Sequence, residues 1–219
     1  VGADPQAERA RRLDRLRGLY AIVGDEDPVG RAAAAVDGGA GAVQVRMKRA
    51  RAGAILEAAR RIAALAAGRA LVVVNDRPDL ALLAGADGVH LGDEDLPAAE
   101  ARRLLGPGLL VGRTCRTPEE ARRALDEGAD HVGFGPVFES RTKPLAVPPR
   151  GLEGLAAACA AIPAPVVAIS GIDLENIGAV AAAGAAAAAV AGDLFERGDA
   201  RERASLLARA FAAGKGRAS

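Results

Sequence analysis

Four short runs gather polar residues that this chain otherwise uses sparingly: it has three lysines (Lys48, Lys143, Lys215), three threonines (Thr114, Thr117, Thr142) and two asparagines (Asn75, Asn176). The first run is Gln44-Val45-Arg46-Met47-Lys48. In an extended strand Gln44, Arg46 and Lys48 share one face, and Val45 and Met47 the other. The apolar face then packs on helices and the polar one points into an enclosed interior. Burying those three groups without a partner is costly, and an anion is the partner they suit. A solvated edge strand is the bland alternative.

Two further runs, Asn75-Asp76-Arg77 and Asp93-Glu94-Asp95, supply carboxylates. Either alone reads equally well as ion pairs or as helix N-terminal charge. Together they suit a hard cation with oxygen ligands. If the basic run binds phosphate, a bare carboxylate would repel it by about 4 kcal/mol at ~4 Å and an effective dielectric of about 20. A Mg²⁺ between them reverses that sign. The fourth run, Glu139-Ser140-Arg141-Thr142-Lys143-Pro144, continues through Pro149 and Arg150 to Gly151. It is long enough to close over a ligand, with an exposed linker as the alternative reading.

Other chemistry is poorly supported. His90 is better read as a packing or hydrogen-bonding residue than as an acid–base group, and His131 belongs to the stability face at the start of its strand. Cys115 has no evident base, and neither a Ser-His-Asp arrangement nor a zinc spacing is visible.

Something must hold these runs together. Short Val/Ile/Leu-rich segments predict strands at 19–23, 42–47, 70–75, 88–92, 109–114, 131–137, 165–170 and 186–191. They recur about every 24 residues, which leaves room for a helix of about 10–12 residues between them. Helices are predicted at 96–105, 151–162 and 201–213, with another opened by Thr117-Pro118-Glu119-Glu120 and closed by Gly128. A further one opens at Asp173-Leu174-Glu175-Asn176 and ends at Gly184. The alanine-rich eighth strand has helical propensity, yet Gly184 and Gly192 on either side favour a strand.

Eight strand–helix units imply a closed parallel (β/α)8 TIM barrel in a single domain over 1–219, with 1–17 a helical extension and 214–219 a frayed tail. An open doubly wound sheet is the runner-up, but no G-x-G-x-x-G follows the first strand. In such a barrel all four runs fall at the C-terminal strand ends, the usual seat of chemistry. Ile169-Ser170-Gly171 and Ala191-Gly192-Asp193 join them, at the strands where these barrels commonly bind phosphate.

Composition excludes several classes. Lys plus Arg number 29 against 28 Asp plus Glu, so no global basic field exists to hold nucleic acid. Aromatics are 2% of the chain, too few for a base-stacking platform. Residues 177–192 are apolar but shorter than the ~20 residues a spanning helix needs. Residues 1–17 are charged and unlike a signal peptide. The expectation is a cytoplasmic protein without membrane or nucleic-acid partners, with Cys115 and Cys159 as reduced thiols; a homo-oligomer stays compatible.

Taken together, Gln44-Val45-Arg46-Met47-Lys48, Asn75-Asp76-Arg77, Gly88-Val89-His90-Leu91-Gly92 with Glu94-Asp95, Gly133-Phe134-Gly135-Pro136-Val137-Phe138 and Thr142-Lys143 resemble the thiamine phosphate synthase family, over about 19–195. That resemblance implies a Mg²⁺-assisted condensation of hydroxymethylpyrimidine diphosphate with a thiazole phosphate, giving thiamine phosphate and pyrophosphate. It implies a dissociative course, in which pyrophosphate leaves and the thiazole nitrogen attacks a pyrimidine methylene cation.

Position by position, it implies that Gln44, Val45, Arg46, Met47, Lys48, Asn75, Thr114 and Lys143 hold the pyrimidine diphosphate. Arg46, Lys48 and Lys143 would stabilise the leaving group, and Asp76 and Asp95 would ligate Mg²⁺. Ser140, Arg141, Thr142, Gly171, Ala191 and Gly192 would hold the thiazole phosphate. Departures from the family pattern are Arg116 in place of a histidine, Ser170 in place of a glycine, and Gly192 where serine is common. The sister thiazole tautomerases share the fold but tend to lose the metal carboxylates and to depend on that histidine, so Asp76, Asp95 and Arg116 favour the synthase. A non-catalytic barrel that binds thiazole phosphates is the third reading.

Overall fold

Strand residues in this chain divide into two sets. Val43, Val45, Val72, Val74, Val89, Leu91 and Val111 lie in one large buried cluster with helix residues such as Ala35, Ile62, Ala101 and Leu207. Tyr20, Ala42, Leu71, Val73, Leu110, Val167, Ala187 and Ala189 form a second, separate cluster. Alternating side chains thus give each strand an outer and an inner apolar face, as in a sheet closed on itself.

The computed structural model describes residues 4–139 and 147–216. Its first half runs α1 (Pro5–Arg15), β1 (Gly18–Val23), α2 (Pro28–Asp37), β2 (Ala42–Val45), α3 (Ala52–Ala66), β3 (Leu71–Asn75), α4 (Pro78–Ala84), β4 (Gly88–Leu91) and α5 (Ala98–Leu105). The second runs β5 (Leu110–Cys115), α6 (Pro118–Asp126), β6 (His131–Phe134), α7 (Gly151–Ala161), β7 (Val166–Ala168), α8 (Ile177–Ala182), β8 (Ala187–Val190), α9 (Gly192–Phe195) and α10 (Ala200–Lys215). Each strand pairs with the next, and β8 pairs with β1 through Leu19↔Ala188, in a closed parallel barrel. All eight expected strands are present, and the open sheet is excluded.

Local chemistry sets the boundaries. Thr117 caps α6 by accepting from the Glu120 N–H at 3.2 Å, while the Glu120 carboxylate takes the Arg116 N–H at 2.7 Å. The sixth strand was expected to reach residue 137 but ends at Phe134, two residues before Pro136, which has no N–H for a ladder. The helix expected from Asp173 begins at Ile177. Asp173 and Asn176 instead close a turn, exchanging side-chain bonds to each other's N–H at 3.2 and 3.0 Å.

α1 lies at the N-terminal end of the barrel. Leu13 and Leu16 pack on the inner cluster, and Arg12 donates to Asp87 at 3.0 Å and to the Gly108 carbonyl at 2.6 Å. No described helix is long and apolar enough to cross a membrane.

Candidate active site

One end of the barrel interior is packed by leucines. At the other a cavity of about 580 Å³ descends to Tyr20 and Val167. Its floor is divided by strand. Gln44, Asn75, His90 and Thr114 come from the consecutive strands β2 to β5, whereas Ile22 and Ala189 come from β1 and β8 and Ile169 directly follows β7. Half the floor therefore offers hydrogen bonds and half is apolar, which suits a flat heterocycle with polar edges. Buried Gln44 donates to the Tyr20 hydroxyl at 3.0 Å. That burial raises the phenol pKa, so the hydroxyl stays protonated.

His90 joins the floor through a 2.9 Å hydrogen bond between Nε2 and Thr114 Oγ1. Beside it lies His131, fully buried and outside the cavity, with the ring centroids 6.0 Å apart. Burial lowers the imidazole pKa values, to about 4 for His90 and about 3 for His131. Both rings are neutral at physiological pH.

Charge gathers at the rim. Lys48 pairs with Asp76. Asp76 has a left-handed φ of 63° that aspartate tolerates better than most residues, and its N–H is held by the His90 carbonyl at 2.8 Å. Asp95 accepts the Gly92 N–H at 2.6 Å. Its carboxyl is nevertheless pushed above the usual range, first by burial and then by the neighbouring Asp76. Two carboxylates thus face each other with Lys48 beside them. Arg116, the departure from the family pattern, is drawn into an ion pair with Asp93. Arg46 holds the Val23 carbonyl through its backbone N–H at 2.8 Å, while its guanidinium reaches the cavity with no hydrogen bond or ion pair to a described residue.

Opposite lie the ends of β7 and β8. Ser170 and Gly171 are both left-handed, with φ of 78° and 68°. Glycine takes this conformation most readily, and Ser170 compensates by donating to the Phe138 carbonyl at 3.3 Å. A Cβ on Gly171 would lie 2.3 Å from the Glu139 carbonyl oxygen, so only glycine lets the two loops approach. Asp193 is occupied structurally: both its oxygens take Arg203 at 2.7 Å, and one also accepts the Leu174 N–H at 3.2 Å.

Comparison with known proteins decides between the readings that share this barrel. The thiamine monophosphate synthase family matches residues 19–194. The chain belongs to that family. It is 66% identical to a thiamine-phosphate synthase of Anaeromyxobacter dehalogenans over 94% of this chain and 93% of that one. It is 50% identical to the thiamine-phosphate synthase of Myxococcus xanthus over 91% and 94%. Among solved structures, the thiamine phosphate pyrophosphorylase from Pyrococcus furiosus superposes with a TM-score of 0.83 at 32% identity, covering 91% of this chain and 98% of that one.

Against this family, the residues singled out from sequence fall into three groups. Gln44, Arg46, Lys48, Asn75, Asp76, Asp95, Thr114, Gly171, Ala191 and Gly192 all line the one cavity. Val45 and Met47 do not. Val45 is buried in the outer cluster and Met47 packs against it, so the strand's period of two turns their side chains away from this cavity. Ser140, Arg141, Thr142 and Lys143 lie outside the described residues.

Some residues escaped the sequence reading. Tyr20 and Ile22 form part of the floor, although the chain's single tyrosine in an alternating strand was an available signal. His131, the first residue of β6 and outside the cavity as expected, packs beside His90, where mid-strand Gly112 and Gly133 leave room for the two rings. Cys115 is buried in the outer cluster, where burial raises its thiol pKa and makes it a poor nucleophile.

Proposed function

We propose that this chain, acting as one barrel domain, is a thiamine-phosphate synthase that joins hydroxymethylpyrimidine diphosphate to a thiazole phosphate and releases pyrophosphate. The observation that carries the reading is vertical order within one cavity. Hydrogen-bonding groups on β2 to β5 form the floor, and Arg46, Lys48, Asp76 and Asp95 stand at the rim. The pyrimidine lies on the floor against Gln44, Asn75 and Thr114, with its diphosphate upward.

The donor set fits Mg²⁺. Asp76 and Asp95 are two mutually repelling carboxylates in need of a cation, and no described cluster of three His, Cys, Asp or Glu side chains could enclose one. Mg²⁺ typically takes one or two protein carboxylates and completes its shell with phosphate oxygens and water. When bound by Asp76 and Asp95, it supplies positive charge to the departing diphosphate.

The chain's own cations do the rest. Arg46 and Lys48, with Lys143 from the segment outside the described residues, stabilise negative charge as the methylene C–O bond breaks and its electron pair leaves with pyrophosphate. The thiazole nitrogen then donates its pair to that methylene carbon. Gly171, Ala191 and Gly192 line the wall where the thiazole phosphate is placed, and Ser140, Arg141 and Thr142 are the further residues that the family resemblance assigns to it. Apolar Ile22, Ile169 and Ala189 keep water from the electron-poor carbon. No protein nucleophile is needed.

The deciding experiment measures pyrophosphate release from hydroxymethylpyrimidine diphosphate with Mg²⁺, with and without thiazole phosphate. Release matched by thiamine phosphate formation is expected. Binding of thiazole phosphate without turnover would overturn the synthase and favour a sensor.

A further inference from the structure

Four carboxylates line one side of the cavity: Asp76 after β3, and Asp93, Glu94 and Asp95 in the turn after β4. A cation held by three or four of them would have little coordination left for a diphosphate. Yet among the described residues no three such side chains come together to hold a metal. Asp76 and Asp95 face each other, Glu94 is exposed, and Asp93 is drawn aside into its ion pair with Arg116. The pull on this turn comes from both faces of β5. Alternation puts Thr114 and Arg116 on the cavity side and Arg113 on the other. Arg113 donates to the carbonyls of Leu96 at 3.0 Å and Asp93 at 3.5 Å, which fixes the backbone, while Arg116 takes the Asp93 side chain. Arg116 is anchored in turn, its N–H going to the Glu120 carboxylate at 2.7 Å. The Arg116 and Asp93 side chains are 29% and 40% exposed, so their pair adds little to stability. Its effect is on where one carboxylate stands.

We infer that Arg116 is a positioning residue that holds Asp93 out of the metal site, so that Asp76 and Asp95 alone bind the cation and the diphosphate completes its coordination. Asp93 lies two residues from Asp95 in one turn, and without the guanidinium it swings to the cation as a third carboxylate. A further anionic ligand tightens the binding of a bare divalent cation. The same charge repels the diphosphate. The two affinities therefore move in opposite directions, whereas a turn that merely loosened would weaken both. The inference rests on the assignment of Asp76 and Asp95 to the metal.

Mn²⁺, which suits the same oxygen ligands as Mg²⁺, is titrated into the substrate-free protein and its free ion read by electron paramagnetic resonance. Arg116→Ala is expected to bind Mn²⁺ about tenfold tighter than the wild type and to raise KM for hydroxymethylpyrimidine diphosphate about tenfold. Arg116→Lys keeps the pair and stays close to the wild type in both. In an Asp93→Asn background Arg116→Ala changes neither. Should Arg116→Ala not fold, Arg116→Met keeps the length without the charge and carries the same expectations. Unchanged or weaker Mn²⁺ binding in the uncharged variants overturns the inference. So does a rise in KM that persists with Asp93→Asn, which would make Arg116 a direct contact of the diphosphate. Asp76→Asn tests the assignment beneath: if it binds Mn²⁺ as the wild type does, that assignment and the inference fall together. If it loses Mn²⁺ while Arg116→Ala matches the wild type, the inference alone falls.

Discussion

Lys48 and Asp76 form an ion pair across the rim of the barrel, joining the residue three past the end of β2 to the one that follows β3. The Lys48 side chain is 51% exposed, so the pair adds little to stability. Its consequence lies in what a ligand must displace: in the proposed reaction a diphosphate with its cation would replace this internal pair by one contact to Lys48 and one to Asp76. Asp76→Asn keeps a residue that tolerates the left-handed φ of 63°. It is expected to fold with an unchanged Tm and to lose Mg²⁺-dependent pyrophosphate release by about 100-fold or more. A Mg²⁺ titration checks it; an unaltered Mg²⁺ requirement removes Asp76 from the metal site.

Two arginines make opposite predictions. The Arg46 guanidinium has no described structural partner, so Arg46→Ala is expected to lower kcat/KM for the diphosphate substrate about 100-fold with Tm unchanged. Arg102, remote from the cavity, donates to the carbonyls of Gly106 at 2.8 Å and Leu109 at 2.7 Å and pairs with Asp130. Its loss strands those groups, and Arg102→Ala is expected to cost about 2–4 kcal/mol of stability with KM untouched. Thermal melts beside steady-state kinetics separate them. A large Tm loss in Arg46→Ala would make that residue a structural one.

The contrast marks what a sequence can reveal. Arg46, Lys48, Asp76 and Asp95 were legible because they are polar residues at the ends of apolar strands, and the alternation within 44–48 already separated ligand-facing Gln44 from Val45. The alanine-rich β8 was legible from its flanking glycines. The pairing of His90 with His131 was not, because it depends on the register of β4, β5 and β6 around Gly112, a long-range relation without a local pattern. For the same reason the sequence did not show that Asp193, which does line the cavity, has its charge absorbed by Arg203 from a helix formed later in the chain.

The histidine pair also predicts how stability follows pH. Folded pKa values of about 4 and about 3 lie below the ordinary histidine value near 6.5. Above pH ~6.5 neither state binds a proton there and the full stability is present. As pH falls from ~6.5 toward 5, the unfolded chain takes up protons that the fold refuses, and stability drops by up to about 1.4 kcal/mol per pH unit for each histidine. Carboxylates contribute little until lower pH. Urea unfolding at pH 7, 6 and 5 reads the slope directly, and His131→Leu should roughly halve it. An unchanged slope in that variant would mean that His131 titrates in the fold as it does in the unfolded chain.

Ser170 and Gly171 show the same backbone conformation with opposite tolerance. Ser170→Gly relieves a left-handed serine but gives up the bond to the Phe138 carbonyl. The expected change is within about 1 kcal/mol, with both KM values preserved. Gly171→Ala has no such balance: its Cβ would meet the Glu139 carbonyl at 2.3 Å and Phe138 Cβ at 2.7 Å while φ stays at 68°. The loop after β7 must then part from the segment after β6, and with it the wall proposed for the thiazole phosphate. KM for the thiazole phosphate is expected to rise at least about tenfold, with binding of the pyrimidine diphosphate much less affected. Isothermal titration with each substrate tests this, and a loss confined to the pyrimidine diphosphate would move the thiazole phosphate away from Gly171.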